Sequence, residues 1–345
     1  MKTVTLDVHT ERTQLCVSLP TGEVVLEKVI ATRAEDLRRE VGAIAGPKRV
    51  VLENGGWAAW VVDAVRDVAE DVVVCDATRN ALVARAEDGN DRRDAERLGI
   101  LDRAGALKRV YVPDEPYRTI RSLVSYDYRL TRDTTRVMIQ IKAVYRRQGV
   151  GYRGKETYRR DRREALMEQV KSGGLVAQLR SLYRLLDLLR LEVVGIRRTL
   201  RELCGKMAVV RRLQGIPGVG PRLARALLAW IVDPGRFRKR SALSAYGGLG
   251  LAQDESNWRA TRRSYASRRG QRQLKRALFL AARAAVRGEN GLARRYRARR
   301  EAGWEDRKAI RDVARQLLFV ICHVWRTGEE YDDARISVPV AAGAQ

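Results

Sequence analysis

The sequence predicts an α/β domain on a mixed sheet, followed by a longer and far more basic all-α region. Three observations carry that division. Alternating, β-branched runs gather in the first third of the chain, and an unbroken four–three repeat of apolar residues fills its middle. The charge also changes sign between the two regions: residues 1–105 hold 15 basic and 19 acidic side chains, a net of −4, and the other 240 hold 53 and 23, a net of +30. A single charged run is a solvated helix face. An excess of this size, mostly arginine, whose planar fork matches phosphate oxygens, points to nucleic acid ahead of a membrane or an acidic protein.

Residues 3–8 (TVTLDV) alternate and read as a first strand. Gln14–Leu19 runs into Pro20-Thr21-Gly22, a hairpin signal, and Val24–Ile30 is the third strand. Ala34–Ala45 has helical spacing through Leu37, Val41 and Ile44, and Arg49–Leu52 is a short run ending in Glu53, as a buried parallel strand does. Trp57–Ala69 is helical, Val72–Cys75 is another buried strand, and Asp91–Ala104 is a helix through Ala95, Leu98 and Leu101. A meander followed by strands alternating with helices fits a ribonuclease-H-like domain over residues 1–105.

Residues 118–147 read as a basic helix, interrupted after its end by Gly149, Gly151 and Gly154. Leu175, Leu179, Leu182, Leu186, Leu189, Val193, Ile196, Leu200 and Leu203 then form an a/d seam over four heptads. The seam is satisfied either by a coiled coil between chains or by antiparallel pairing with 118–147. Residues 106–206 are therefore expected to be a helical, coiled-coil linker and oligomerisation region. A last helical domain over 207–331 opens with Leu213–Leu228 (LQGIPGVGPRLARALL), the pattern of a helix-hairpin-helix motif. A polar loop over Ala252–Ser267, a helix at Arg272–Val286 and Arg-rich helices within 291–327 complete it, and 332–345 are expected to be a flexible tail.

Cys16, Cys75, Cys204 and Cys322 show no CxxC spacing, and His9 and His323 are the two histidines, which argues against a zinc site or a disulfide scaffold. Cys16 and Cys75 fall in apolar runs as small buried hydrophobes. No apolar stretch approaches membrane-spanning length and no signal-peptide pattern is present, so a cytoplasmic protein with no membrane partner is expected.

Four carboxylates stand out in the acidic third. Asp7 lies inside the first strand, where an unpaired buried carboxylate is costly. Glu53 ends the central parallel strand, and Asp91 and Asp94, three apart, project from one helix face. In a ribonuclease-H-like sheet the first and fourth strands are neighbours, with a late helix beside them. That gathers all four, and so many like charges are tolerable with a divalent cation between them. An all-oxygen donor set suits Mg²⁺ or Mn²⁺. Read singly, Asp91 and Asp94 also serve as favourable charges at a helix N-terminus.

In the Pro217-Gly218-Val219-Gly220 turn, Gly218 and Gly220 permit close backbone approach, and amides at the next helix's start are placed to hold a phosphate. A plain helix–helix turn has the same sequence. The polar loop holds Ser256 among Arg259, Arg262, Arg263, Arg268 and Arg269, with no histidine nearby. Arginines there would stabilise charge in attack on a phosphate, though Ser264 and Ser267 compete with Ser256 on composition alone.

Taken together, these motifs resemble the insertion-sequence-110 transposases, relatives of the Piv/MooV DNA invertases and known as bridge-RNA-guided recombinases. Leu6-Asp7-Val8, Val51-Leu52-Glu53 and Asn90-Asp91-Arg92-Arg93-Asp94-Ala95 look like the Asp-Glu-Asp-Asp set of that family's RuvC-like domain. Ile216–Gly220, Tyr246-Gly247-Gly248-Leu249 and Arg269-Gly270 with Leu274-Lys275-Arg276-Ala277-Leu278 follow its transposase domain, and the family's nucleophilic serine falls at Ser256. The chain departs from the family at Asn257-Trp258 after the serine and at Asn54-Gly55-Gly56 after the glutamate.

The resemblance implies a serine recombinase forming a phosphoserine-linked strand in a composite site with Mg²⁺ held by the four carboxylates. It also implies donor and target DNA as partners, a structured guide (bridge) RNA that pairs with both, a homo-oligomer (dimer or tetramer), and a bacterial, nucleoid-associated setting. Two other readings of the same residues are a RuvC-like two-metal junction resolvase or nuclease, and a non-catalytic nucleic-acid-binding protein.

Overall fold

The computed structural model describes residues 1–76, 98–253, 264–266 and 270–339, with the backbone alone at 251–253 and 264–266. The chain divides into two compact units, residues 1–114 and 115–345.

In the first unit, Lys2–Val8 (β1), Arg12–Ser18 (β2) and Val24–Ala31 (β3) form an antiparallel meander. Ala34–Gly42 (α1), Lys48–Glu53 (β4), Ala58–Val65 (α2) and Asp71–Cys75 (β5) follow, and residues 98–103 are helical (α3). The five-stranded sheet has the order β3-β2-β1-β4-β5, with β1–β4 and β4–β5 parallel. Parallel neighbours require crossovers, and α2 supplies the one between β4 and β5. Buried Lys48 fixes where β4 starts, since its Nζ donates to the carbonyls of Val41 (3.2 Å) and Ile44 (2.5 Å) at the end of α1.

Strand alternation gives the sheet two buried faces. Val4, Leu6, Leu15, Val17, Val50 and Leu52 pack against Leu37, Val41, Val61 and Val65 of α1 and α2. Val51, Val73 and Cys75 point the other way and pack with Leu98 of α3.

The second unit is built on two long helices, Tyr117–Arg147 (α4) and Gly173–Gly205 (α6), linked through Arg163–Met167 (α5). Despite two glycines in its first turn, α6 starts cleanly because the Ser172 hydroxyl accepts from the Leu175 amide at 3.4 Å. The helices run antiparallel and join two cores. At one end Leu179, Tyr183 and Leu186 meet Val137, Ile141, Val144 and Tyr145. At the other, Leu200 and Cys204 share a core with Ile120, Val124 and Tyr128. The predicted heptad seam thus packs within the chain through Leu179, Leu186 and Leu200. Leu188, Leu191 and Val194 of the same helix are 54%, 67% and 66% exposed.

The larger core continues through Ala208–Gln214 (α7), Pro221–Ile231 (α8), Arg240–Tyr246 (α9), Arg272–Ala285 (α10), Gly291–Glu301 (α11) and Asp306–Thr327 (α12). Between α9 and α10, Leu251–Gln253 (β6) pairs antiparallel with Ser264–Ala266 (β7). The sequence reading expects a loop throughout 252–267, but two three-residue strands are present, too short for alternation to register.

Three buried or part-buried carboxylates clamp this Arg-rich unit. Asp127 accepts from Nε of Arg197 and of Arg222, each at 2.8 Å. Asp187 takes a two-pronged pair from Arg163 at 2.7 Å. Asp312, 4% exposed, accepts from Arg295 (2.7 Å), Arg299 (3.2 Å) and Arg315 (3.3 Å). Burial works to raise the Asp312 pKa, but hydrogen bonds and charge from Arg295 and Arg299 outweigh it and hold the carboxyl below its usual range.

Asp312→Asn is expected to lower unfolding stability by about 3 kcal/mol, since it leaves buried guanidinium without its counter-charge. A depressed carboxylate contributes fully above its unfolded pKa, about 4, and that contribution is lost as pH falls through the folded value. Denaturant melts at pH 7 and near pH 3 are therefore expected to show a smaller wild-type–variant gap in acid.

Candidate active site

The acidic edge of the sheet follows from register. β1 and β4 are parallel with Leu6 opposite Leu52, so Asp7 and Glu53 stand one position further on, at the carboxyl edge. Because Leu6 and Leu52 face α1 and α2, Asp7 and Glu53 fall on the face that carries α3. The Asp7 side chain is 23% exposed, and its Oδ2 lies 3.2 Å from His9 Nε2. Glu53 is opposite Cys75 in β5, and the Asn54 amide donates to the Cys75 carbonyl at 2.7 Å.

Asp76 directly follows Cys75, and sequence reasoning missed it. Burial first, then the charges of Glu53 and Asp76, push the Cys75 thiol up to about 11. The charge-borne part of that shift reports a negative field at this edge. The available signal was that Val72–Cys75 runs into an acid just as Arg49–Leu52 runs into Glu53.

α3 is pinned across the same face. Asp102 accepts from the Thr3 hydroxyl at 3.0 Å and from Arg49 Nη1 at 3.2 Å, and a side chain at Gly99 would come within 3.7 Å of Thr5. The helix therefore travels from Thr5 toward Thr3, and its N-terminal end is directed toward Asp7. Asp91 and Asp94 precede Leu98 by seven and four residues; both lie outside the described residues. Among the described residues no group of three or more His, Cys, Asp or Glu is placed to hold a metal ion. Asp7 and Glu53 are oxygen donors of the kind a hard divalent cation takes, but two carboxylates alone do not make a site.

In the second unit the Gly215–Gly220 turn joins α7 to α8. Gly218 has φ of +82°, and a Cβ there would lie 2.1 Å from the Ala281 carbonyl oxygen and 2.7 Å from the Ala285 nitrogen. Its lack of a side chain serves contact with α10, whose Ala281 and Ala285 make room for it. Gly220 is different. It caps α8 in an extended conformation, has open space where a side chain would sit, and offers no side-chain acceptor to the first-turn amides.

The ends of the Ser256 segment are stapled together. Gly248, φ +64°, follows α9, and Gly270, φ +102°, precedes α10. A Cβ on Gly270 would meet the Ala245 carbonyl oxygen and the Gly248 Cα and nitrogen, each at 2.6 Å. The Gln271 amide donates to the Tyr246 carbonyl at 2.7 Å, and above this junction β6 and β7 pair from Leu251–Ala266 to Gln253–Ser264. The two glycine motifs that flank the serine in sequence thus touch in space, and the rigid hydrophobic core holds them. Ser264, a competitor of Ser256, is on the paired strand; Ser256, Arg259, Arg262, Arg263, Arg268 and Arg269 lie outside the described residues.

Residues 4–147 match the DEDD model of IS110 transposases, and residues 210–297 match the Transposase IS116/IS110/IS902 family. The chain is 33% identical over 120 residues to the insertion element IS110 uncharacterized 43.6 kDa protein of Streptomyces coelicolor, covering 35% of this chain and 29% of that protein. It is 30% identical over 170 residues to a protein of the same organism named as the mini-circle candidate transposase for IS117, covering 48% of this chain and 40% of that protein. The matched stretches thus span less than half the length of either relative.

Gly270→Ala is expected to cost at least about 2 kcal/mol, because both the positive φ and the surrounding backbone oppose a side chain. Gly250→Ala, which meets only the Ala245 Cα at 3.8 Å, is the matched control. Denaturant melts of the two variants measure the difference; equal stability would show that the staple is not a tight contact.

Proposed function

Because the chain belongs to the IS110 family of transposases, we propose that it cuts and rejoins DNA as a transposase/recombinase, with Ser256 as nucleophile. The observation that carries this reading is the stapled junction at Gly248 and Gly270, which anchors the Ser256 segment on a rigid core. In the proposed step Ser256 Oγ gives up its proton and forms a bond to a DNA phosphorus, the bond from phosphorus to a deoxyribose oxygen breaks, and the departing oxygen takes up a proton in exchange. Energy of the phosphodiester is kept in the phosphoserine link, so rejoining needs no external energy source. Arg259, Arg262, Arg263, Arg268 and Arg269 would steady the charge on the phosphate.

Asp7 and Glu53, with Asp91 and Asp94, would hold Mg²⁺ or Mn²⁺. A bound cation would there polarise phosphate oxygens. Asp7 and Glu53 fit that role as oxygen donors one position past a paired register at a sheet edge, where the charges of Glu53 and Asp76 add to burial in raising the Cys75 thiol. Gly220 and the open amides of α8 would hold a backbone phosphate, and Gly218 would set their approach through its packing on α10. Donor and target DNA would be selected by a structured guide RNA, which fits a chain whose basic excess suits shape and backbone reading. A dimer or tetramer is supported by the exposed Leu188, Leu191 and Val194 on α6.

Incubating the protein with Mg²⁺, guide RNA and a nicked suicide DNA substrate is expected to yield a covalent protein–DNA adduct. Ser256→Ala is expected to lose that adduct and to lower strand cleavage by at least ~10³-fold, as removal of a nucleophile does. EDTA, or Asp7→Asn, is expected to lower both as well. Normal cutting by Ser256→Ala without an adduct would indicate two-metal hydrolysis instead, and no cleavage by the parent protein would leave an architectural binder.

Leu191→Glu combined with Val194→Glu is expected to leave the folded core intact, because both side chains are two-thirds exposed. If α6 joins subunits, light scattering is expected to show the variant at a smaller mass than the parent. An unchanged mass would place subunit contacts elsewhere.

A further inference from the structure

α4 carries a second, unassigned surface beside α10. A cavity of about 380 Å³ opens along Thr131, Arg132, Thr135, Arg136 and Gln140 of α4 and Arg276 of α10. Thr131 and Thr135 are one turn apart, as are Arg132 and Arg136, so hydroxyls and guanidiniums form two parallel rows. Ile139, 58% exposed, adds an apolar spot on which a sugar or base can rest.

The charge of this groove is unbalanced. Arg132 and Arg136, 69% and 63% exposed, share one carboxylate, Asp133, at 3.9 and 3.4 Å. Arg276 has no carboxylate within ion-pair distance among the described residues; its guanidinium stacks on Tyr128 at 5.3 Å. Arg222 stacks on the same ring at 5.2 Å.

The groove is also wired into the helix clamp behind it. Arg222 and Arg197 donate from Nη2 to the Thr131 hydroxyl at 3.0 and 3.3 Å while their Nε atoms hold Asp127. Asp127 is therefore already shared between two guanidiniums, neither of them Arg276. Among the described residues the buried Tyr128 hydroxyl has no hydrogen-bond partner. The Thr135 hydroxyl donates to the Thr131 carbonyl at 2.9 Å, which leaves the Thr131 hydroxyl as donor. A cationic groove with that hydroxyl, open to solvent and short of anions, is complementary to a phosphodiester chain.

We propose that this α4–α10 groove binds the backbone of the substrate DNA and leads it toward the serine segment. The choice of DNA rests on the function proposed above. Arg276 lies six residues after Gly270, the staple of that segment, on the helix that the staple starts. A strand whose phosphates sit against Arg276 is thereby placed on the element that positions the nucleophile.

The test is binding of the full chain to a fluorescent 30-base-pair duplex and, separately, to a structured RNA hairpin, each titrated over a range of salt. Arg136→Gln with Arg276→Gln is expected to weaken DNA binding at least ~10-fold near physiological salt. It is also expected to reduce the slope of log affinity against log salt by about 0.9 for each phosphate that is no longer neutralised. Lys at both positions is expected to restore most of the affinity, since a phosphate requires charge. Arg180→Gln with Arg184→Gln, the same charge loss on exposed α6, is expected to change DNA binding less than twofold.

Unchanged DNA affinity in the groove variant, equal loss in the α6 control, failure of the Lys pair to rescue, or a loss confined to the RNA hairpin would each overturn the proposal. Binding is read without cleavage. A failed Ser256 mechanism therefore leaves this result standing, and a failed groove leaves the adduct assay standing.

Discussion

The second unit depends on a few carboxylates that let an arginine-rich chain fold on itself. With a net of +30 outside the first 105 residues, helix packing brings like charges together unless each contact holds a counter-charge. Asp127 ties α4 to α6 and α8, Asp187 ties α6 to the start of α5, and Asp312 ties α12 to α11. Each is shared among two or three guanidiniums, so compensation is local and partial. Part of what remains uncompensated, at Arg132, Arg136 and Arg276, faces solvent, and that charge is what nucleic acid would meet. Fold stability therefore draws on the clamped arginines and leaves others, such as Arg132, Arg136 and Arg276, for a partner.

The sheet of the first unit solves a different problem. Its parallel strands are buried on both faces, so carboxylates are tolerated only where the strands end. Asp7, Glu53 and Asp76 all occur there, on three neighbouring strands. Burial first, and then the charges of Glu53 and Asp76, raise the Cys75 thiol pKa, and a divalent cation at the edge would relieve the charge-borne part. α3 is held to the same face by Asp102, Thr3 and Arg49, contacts that fix its direction independently of any metal.

Much of this was legible in the sequence because period and chemistry coincide. The alternation of TVTLDV marks both β1 and the side on which Asp7 falls, and the 118–147 periodicity appears as α4 over Tyr117–Arg147. The heptad seam was equally plain, but it could not specify its partner. Only the tertiary structure shows Leu179, Leu186 and Leu200 packing against α4. β6 and β7 escaped because three residues do not establish a period. Gly218 was legible as a special backbone position, whereas its use against Ala281 and Ala285 depends on a helix some sixty residues later. The unbalanced groove at Arg276 was invisible for the same reason, since its walls come from α4 and α10. Asp91, Asp94 and Ser256 lie outside the described residues, and the roles proposed for them rest on family resemblance and on the elements beside them.

If the stapled segment carries the nucleophile, peptide mapping of the covalent adduct will locate it there. Trypsin cleavage after Arg240 and Arg259 would release residues 241–259, which contain Ser241, Ser244 and Ser256. After nuclease trimming, fragmentation mass spectrometry of that peptide is predicted to place a phosphonucleotide on Ser256. A nucleotide on Ser241, Ser244 or any residue outside 241–259 would contradict the account.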